Sequence, residues 1–139
     1  MIIDVAATVA GLILGTLSVT HIYWALGGRR GQSAVVPTVG DRAMISPSTV
    51  ATLTVASLLG LSAIIVIGAA ADWAPTAVFR IGCIGIAVVL FARSIGDRRY
   101  FGLFKRIRDT QFARRDTRVD TPLCLALAGV AIAVGVAPR

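Results

Sequence analysis

Three ionisable side chains, His21, Arg80 and Arg93, fall inside long apolar stretches, and Asp97 and Tyr100 follow just beyond the last of them. Ionisable groups at such positions are expensive in a bilayer and mark candidate sites. Histidine titrates near neutral pH and could move a proton. Arginine could grip a carboxylate through a forked contact. Arg93 and Asp97 stand four residues apart with Tyr100 three further on, so a persisting helix would line them along one side and let Arg93 pair with Asp97. The candidate polar pocket is therefore His21, Tyr23, Trp24, Arg93, Asp97 and Tyr100. Plainer readings stand beside it. Arg93 and Asp97 could form an ion pair that only anchors a helix end, and His21 beside Tyr23 and Trp24 could be a wetted interfacial anchor. Arg80 reads as structural, snorkelling outward to headgroups.

The elements that must hold these residues are membrane helices. The 139-residue chain is 56% hydrophobic with a mean hydropathy of +0.82, above the roughly 45–50% apolar share of a water-soluble domain. Charged residues are only 15% and gather in two stretches, 27–42 and 96–120. Between them lie apolar runs that predict one all-α transmembrane domain, a four-helix bundle over about 2–26, 46–71, 75–95 and 121–136. The first run lacks the basic start and cleavage site of a signal peptide, carrying Asp4 instead. Ser46-Pro47 and Asp120-Thr121-Pro122 each read as an N-cap followed by proline at a helix start. Asp72-Trp73-Ala74-Pro75 reads as a tight hairpin turn, with Pro75 opening the third span. The fourth span is the shortest, near the lower limit for crossing.

The net charge is +7, from thirteen Arg, one Lys and seven Asp. In a soluble protein that balance would suggest nucleic acid. Here no nucleic-acid partner is expected, because the cations flank apolar spans and fix orientation instead. The first and third loops, which must share a side, hold Arg29, Arg30 and Arg42 and then eight cations from Arg98 to Arg118. The opposite side holds Arg139 alone. Cytoplasmic loops retain Lys and Arg, so both termini are expected outside.

Helix association in lipid depends on close backbone approach, so small residues mark the packed faces. Thr8, Gly11, Gly15 and Ser18 form such a stripe on the first helix. Ala56, Gly60 and Ala63 do so on the second, Gly82, Gly85, Val89, Arg93 and Gly96 on the third, and Gly129 and Ala133 on the fourth. Arg93 is thereby expected to face protein. His21 lies about 100° from the small-residue stripe of its own helix.

The segment 96–120 interleaves aromatic and basic residues, and Tyr100, Phe104 and Ile107 have helical spacing. This predicts an interfacial segment lying on anionic headgroups, through Arg98, Arg99, Phe101, Phe104, Lys105, Arg106 and Arg108. A plain solvated loop is the alternative, and in either case Asp97, Asp109, Asp116 and Asp120 should order the segment by internal ion pairs to arginine.

Other chemistries lack their signatures. No dinucleotide, P-loop or zinc-protease motif occurs, and no acidic residue falls near a span's midpoint as coupled transport usually needs. Cys83 and Cys124 would differ in depth by more than ~10 Å at the helical rise, too far to bridge, and both read as small apolar residues. No metal and no cofactor is expected.

The run His21-Ile22-Tyr23-Trp24-Ala25-Leu26-Gly27-Gly28, with Arg93-Ser94-Ile95-Gly96-Asp97 and Tyr100-Phe101-Gly102-Leu103-Phe104-Lys105-Arg106, resembles a family of short bacterial membrane proteins known as domain of unknown function 3995. Asp116-Thr117 and Pro122-Leu123-Cys124 fit the same pattern. The resemblance implies a four-helix fold in a bacterial cytoplasmic membrane and brings no activity with it. Two functions remain open. One is a non-catalytic accessory, scaffold or interaction subunit, binding a protein partner or a second copy through small-residue faces. The other is a membrane-embedded enzyme or lipophile binder with its polar pocket at the cytoplasmic end.

Overall fold

A helix that satisfies its own backbone is the cheapest way to carry an apolar run through lipid, and four runs do so here. A computed structural model describes residues 1–32, 36, 38–39, 42–43, 47–97 and 99–138. The chain forms α1 (Ile2–Ala25), a two-residue hairpin of β1 (Thr38–Val39) against β2 (Arg42–Ala43), α2 (Thr49–Ala70), α3 (Thr76–Ile95), α4 (Gln111–Arg115), a π-helical turn (Asp116–Asp120) and α5 (Thr121–Val136). Thr38 lies opposite Ala43 and Val39 opposite Arg42, the one departure from an all-helical chain among the described residues. Ile2–Ala25, Thr49–Ala70, Thr76–Ile95 and the continuous run Gln111–Val136 are each long and apolar enough to cross a membrane.

Two helix starts differ from expectation. The cap of α2 is Ser48, whose Oγ accepts the Ala51 N–H at 3.1 Å, so Pro47 precedes the cap; Ser46 lies outside the described residues. Asp120-Thr121-Pro122 does not begin a helix at all, because Asp120 is already helical and makes no capping bond. The helix begins ten residues earlier at Gln111, where Thr110 Oγ1 accepts the Ala113 N–H at 3.0 Å. It passes Pro122 by widening into the π turn, in which the Thr121 N–H reaches the Asp116 carbonyl. In a straight α-helix the Pro122 ring would press on the carbonyl four residues back. The expected 16-residue span is thus the C-terminal part of a 26-residue run.

The helices close into a ring: α1 lies on α2, α2 on α3, α3 on α5, and α5 returns to α1. The interior is made of small side chains, including Ala7, Ala10, Ala63, Ala69, Cys83, Ala128 and Ala131, around Leu14, Val66, Leu127 and Val134. Large apolar residues such as Leu12, Leu58, Ile81, Val88 and Ile132 point outward. This inverts a water-soluble bundle and suits packing in lipid, where bulk gains nothing by facing inward and small residues let backbones approach.

The packed faces are a partial match to the expected stripes. Added Cβ atoms at Gly11, Gly60 and Gly82 would meet Ile67, the Ser18 hydroxyl at 3.1 Å, and Ile65 at 2.8 Å respectively, so these glycines seat α1 on α2 and α2 on α3. Ser18 Oγ donates to the Ala56 carbonyl at 2.7 Å across the first of those contacts. Gly15, Gly85 and Gly129 have open space instead, and Thr8 is exposed. The buried edge of α1 runs through Ala7, Ala10, Gly11, Leu14 and Ser18, a rotation of the predicted face towards Leu14. On α3 the buried edge is Cys83, Ala87 and Ser94. Gly96 is no packing glycine but the helix stop, at φ +80°.

Arg80 does not reach outward. Its Nε and Nη2 donate to the carbonyls of Gly135 at 2.9 Å and Ala137 at 2.8 Å. Those oxygens belong to the end of α5, where the helix has no partners of its own to offer, so the guanidinium closes that end against α3.

Candidate functional site

The polar residues gather at the end of the bundle opposite the chain termini, and the chain's local stops determine how. At the end of α3, Gly96 turns the backbone away from the helix, so Asp97 cannot continue along the Arg93 face. The expected Arg93–Asp97 pair is therefore absent. Asp97 Oδ1 instead accepts the N–H groups of Arg99 at 2.9 Å, Tyr100 at 2.7 Å and Phe101 at 3.0 Å, tying the loop into a tight turn. Partial desolvation pushes the Asp97 carboxyl up, but the N–H groups of Phe101, Tyr100 and Arg99 outweigh it and hold the group below the usual carboxylate range.

The turn brings Gly102 back beside the last residues of α3, with φ +83° and so little room that a Cβ there would strike the Ile95 carbonyl at 2.5 Å. Its neighbour Leu103 donates its N–H to the Ser94 carbonyl at 2.9 Å. The expected helical spacing of Tyr100, Phe104 and Ile107 is not realised, because two left-handed glycines and the Asp97 turn fold the segment 99–110 into successive bends without a helix.

Asp116 is the centre that this folding builds. It is completely buried, and its Oδ1 accepts from Arg93 Nη2 at 2.8 Å. Its Oδ2 accepts from the Gly102 N–H at 2.9 Å and from Lys105 Nζ at 2.8 Å. Lys105, with its side chain 2% exposed, also donates to the Gly102 carbonyl at 3.1 Å and to Thr117 Oγ1 at 2.7 Å, so all three ammonium hydrogens are placed. A lysine so enclosed is not a headgroup contact, which corrects the expectation for Lys105. Its burial follows from the need of a buried carboxylate for donors on every side. The Arg93 guanidinium lies over the Phe101 ring, 5.1 Å from its centre, and Phe101 meets Phe112 edge-on at 5.3 Å. Phe101 is thus a wall of this centre and only partly exposed, whereas Phe104 is 63% exposed. Arg93 Nη1 and Thr121 Oγ1 are buried beside it and bond to no other described residue.

The other candidate residues stand apart from this centre. His21 Nδ1 lies 2.7 Å from the Leu17 carbonyl, one turn back on its own helix, and its ring meets Trp24 edge-on at 5.0 Å. Trp24 Nε1 donates to the Arg30 carbonyl at 2.9 Å, and Gly28 lies against the Tyr23 ring. His21, Tyr23 and Trp24 therefore form the closing turn of α1. They share no hydrogen bond, ion pair or ring contact with Arg93, Asp97 or Tyr100 among the described residues. Asp97 and Tyr100 meet only through the backbone bond, and Tyr100 lies beneath Arg99, whose guanidinium is 5.2 Å from the ring centre. Arg99, Arg106 and Arg108 are exposed, and Arg98 lies outside the described residues.

Chemically the centre is a lock. Both carboxylate oxygens are taken by charged or backbone donors, leaving Asp116 poorly placed to act as a base. No group of three His, Cys, Asp or Glu lies together among the described residues, and both cysteines are free thiols. An apolar groove of about 280 Å³ runs along Val9, Leu12, Ile13, Thr16 and Leu17 of α1, with none of the polar centre's residues in its lining.

Asp116 was not among the candidate pocket residues, although it is one of the four aspartates expected to order the segment 96–120 by internal ion pairs to arginine. The readable signal was the 3–4 spacing of Phe112, Ala113 and Asp116 after a Thr110 cap, which makes this segment a helix with an acidic inner edge.

No curated protein and no solved structure matches the chain significantly. The family described as protein of unknown function (DUF3995) matches over residues 14–131, which takes in the Arg93, Lys105 and Asp116 centre, and the chain belongs to that family.

Proposed function

We propose that this protein is a non-catalytic module of the bacterial cytoplasmic membrane, an accessory, scaffold or interaction subunit. The observation that carries this reading is that the charged pair at its most polar centre is fully used. Asp116 and Lys105 spend their hydrogen bonds on each other, on Arg93, Thr117 and the Gly102 backbone, so neither is free to serve as a base or an acid, although the buried Arg93 Nη1 and Thr121 Oγ1 beside them stay unbonded among the described residues. Mass analysis of the protein released in native lipid particles tests it. The expected result is a stoichiometric second protein or a second copy. A single chain that retains one tightly held lipophilic molecule would instead favour the binder.

The orientation proposed with it puts both termini outside and the Asp116 end in the cytoplasm, supported by the cations at that end. In a chain whose own cysteines are replaced by alanine, a cysteine at Ala74 should react with an impermeant thiol reagent in intact cells, and one at Asp109 or Gly31 should be protected. The reverse pattern would invert the molecule.

A further inference from the structure

Between α3 and α4 the chain builds a small closed loop whose outward residues have no role in the Asp116 centre. The Ile107 N–H donates to the Arg99 carbonyl at 3.2 Å, closing residues 99–107 on themselves. Arg108 folds back so that its Nε donates to the Lys105 carbonyl at 3.2 Å. Arg99, Arg106 and Arg108 are thereby held in one loop and exposed, with Leu103 and Phe104 at its tip, 50% and 63% exposed. Lys105, next in sequence, is drawn inward to Asp116. The buried lysine fixes the turn from inside and leaves the two apolar side chains on the outer surface.

The depth of that tip follows from the helix it is tied to. α3 has 20 residues, which at 1.5 Å each span about 30 Å, the thickness of the hydrocarbon core. Ser94 is its second-last residue, so the Leu103 N–H bond to the Ser94 carbonyl sets the tip level with the edge of the core. Apolar side chains at that level would enter the acyl boundary, and arginines on the same loop would stand among the headgroups.

We infer that residues 99–108 form an interfacial wedge that binds an anionic lipid surface, with Leu103 and Phe104 inserted at the acyl boundary and Arg99, Arg106 and Arg108 contacting lipid phosphates. This rests on the membrane reading proposed above. The partner is assigned to lipid because the loop pairs exposed cations with apolar residues at the core's edge. The set of contacts differs from the sequence expectation in that Leu103 joins Phe104 at the tip, Phe101 lies against Arg93, and Lys105 is turned inward.

The test uses the full chain, with Cys83 and Cys124 replaced by alanine, reconstituted in vesicles of phosphatidylcholine with or without phosphatidylglycerol. A fluorophore is attached at Phe104→Cys, at Val88→Cys on the exposed middle of α3, or at Asp109→Cys. Lipids carrying quenchers at shallow or deep positions then report depth. Val88→Cys should be quenched by the deep probe, Phe104→Cys by the shallow probe, and Asp109→Cys weakly by both. Replacing Arg99, Arg106 and Arg108 with Gln should lower the preference for phosphatidylglycerol around the protein, by up to about a hundredfold for three cations at such a surface. If Val88→Cys escapes the deep probe, the membrane reading itself fails. If Val88→Cys is quenched and Phe104→Cys is not, the wedge is overturned alone. Protection of Phe104→Cys in native membranes but not in vesicles would assign the surface to a protein and also overturn it. Equal lipid enrichment before and after the arginine replacements would overturn the anionic contact.

Discussion

Replacing Asp116 with alanine should cost the protein most of its folded yield in mild detergent. The change strands the Lys105 ammonium, whose side chain is 2% exposed, and frees the Arg93 guanidinium from its partner. Removing one member of a buried pair costs about 3–5 kcal/mol, against a total stability of roughly 5–15 kcal/mol. Asp116→Asn keeps an acceptor but not the charge and should fall between. Lys105→Ala should be worse than Arg93→Ala, because Arg93 is one-third exposed and can recover solvation. The pair Asp116→Leu with Lys105→Met should regain part of the loss, since apolar replacement of a whole buried pair is often tolerated. Thermal unfolding of the same detergent preparations ranks these variants. An Asp116→Ala protein that melts with the parent would show that the centre contributes nothing to the fold.

A second large effect is expected at Gly11. Leucine there would drive into Ile67 and the Ala63 carbonyl, wedging α1 from α2 along the longest contact in the bundle. Overpacking of this kind costs about 1–3 kcal/mol. A Cβ at Gly15, four residues on, would meet nothing within 4 Å, so the same change there should leave the melting temperature of the single chain unchanged. Should Gly15→Leu prove as damaging as Gly11→Leu, the rotation of α1 described above is wrong. Should it leave the fold intact but abolish a dimer or complex, Gly15 faces a partner.

What could be read from the sequence depended on the range of the interaction. The spans are local in cause, set by runs of apolar residues, so their existence and three of their four extents emerged from hydropathy and flanking residues. The inward turn of Arg93 was legible, although the stripe it was read from packs only at Gly82 and not at Gly85 or at Val89, which is 67% exposed. Its partner was not. Choosing Asp97 assumed that the helix ran on, whereas Gly96 ends it and the true carboxylate lies 23 residues away in sequence. Arg80 shows the same limit, since its acceptors are carbonyls 55 and 57 residues away on another helix. Backbone acceptors have no residue type to betray them. Lys105 was misjudged because a lone lysine in a basic loop gives no hint of burial until Gly102 and Asp116 are brought to it. The extension of the last helix to Gln111 was hidden by Pro122, which commonly opens a helix and here sits within one.

The π-helical turn makes the last helix two cylinders with different phases. A π turn is an α-helix carrying one extra residue, and each residue advances the face by about 100°. Arg93, Gly102 and Lys105 are addressed from Asp116, where the turn begins, and α1 and α3 by the segment after it. Losing a single residue between Asp116 and Asp120 could restore an unbroken helix and keep every side chain type. It would still swing Asp116 out of register with its three donors or α5 out of register with the bundle. The chain length across those five positions is therefore as much a part of the centre's specification as the aspartate itself, and natural variants should tolerate substitution there more readily than a gap.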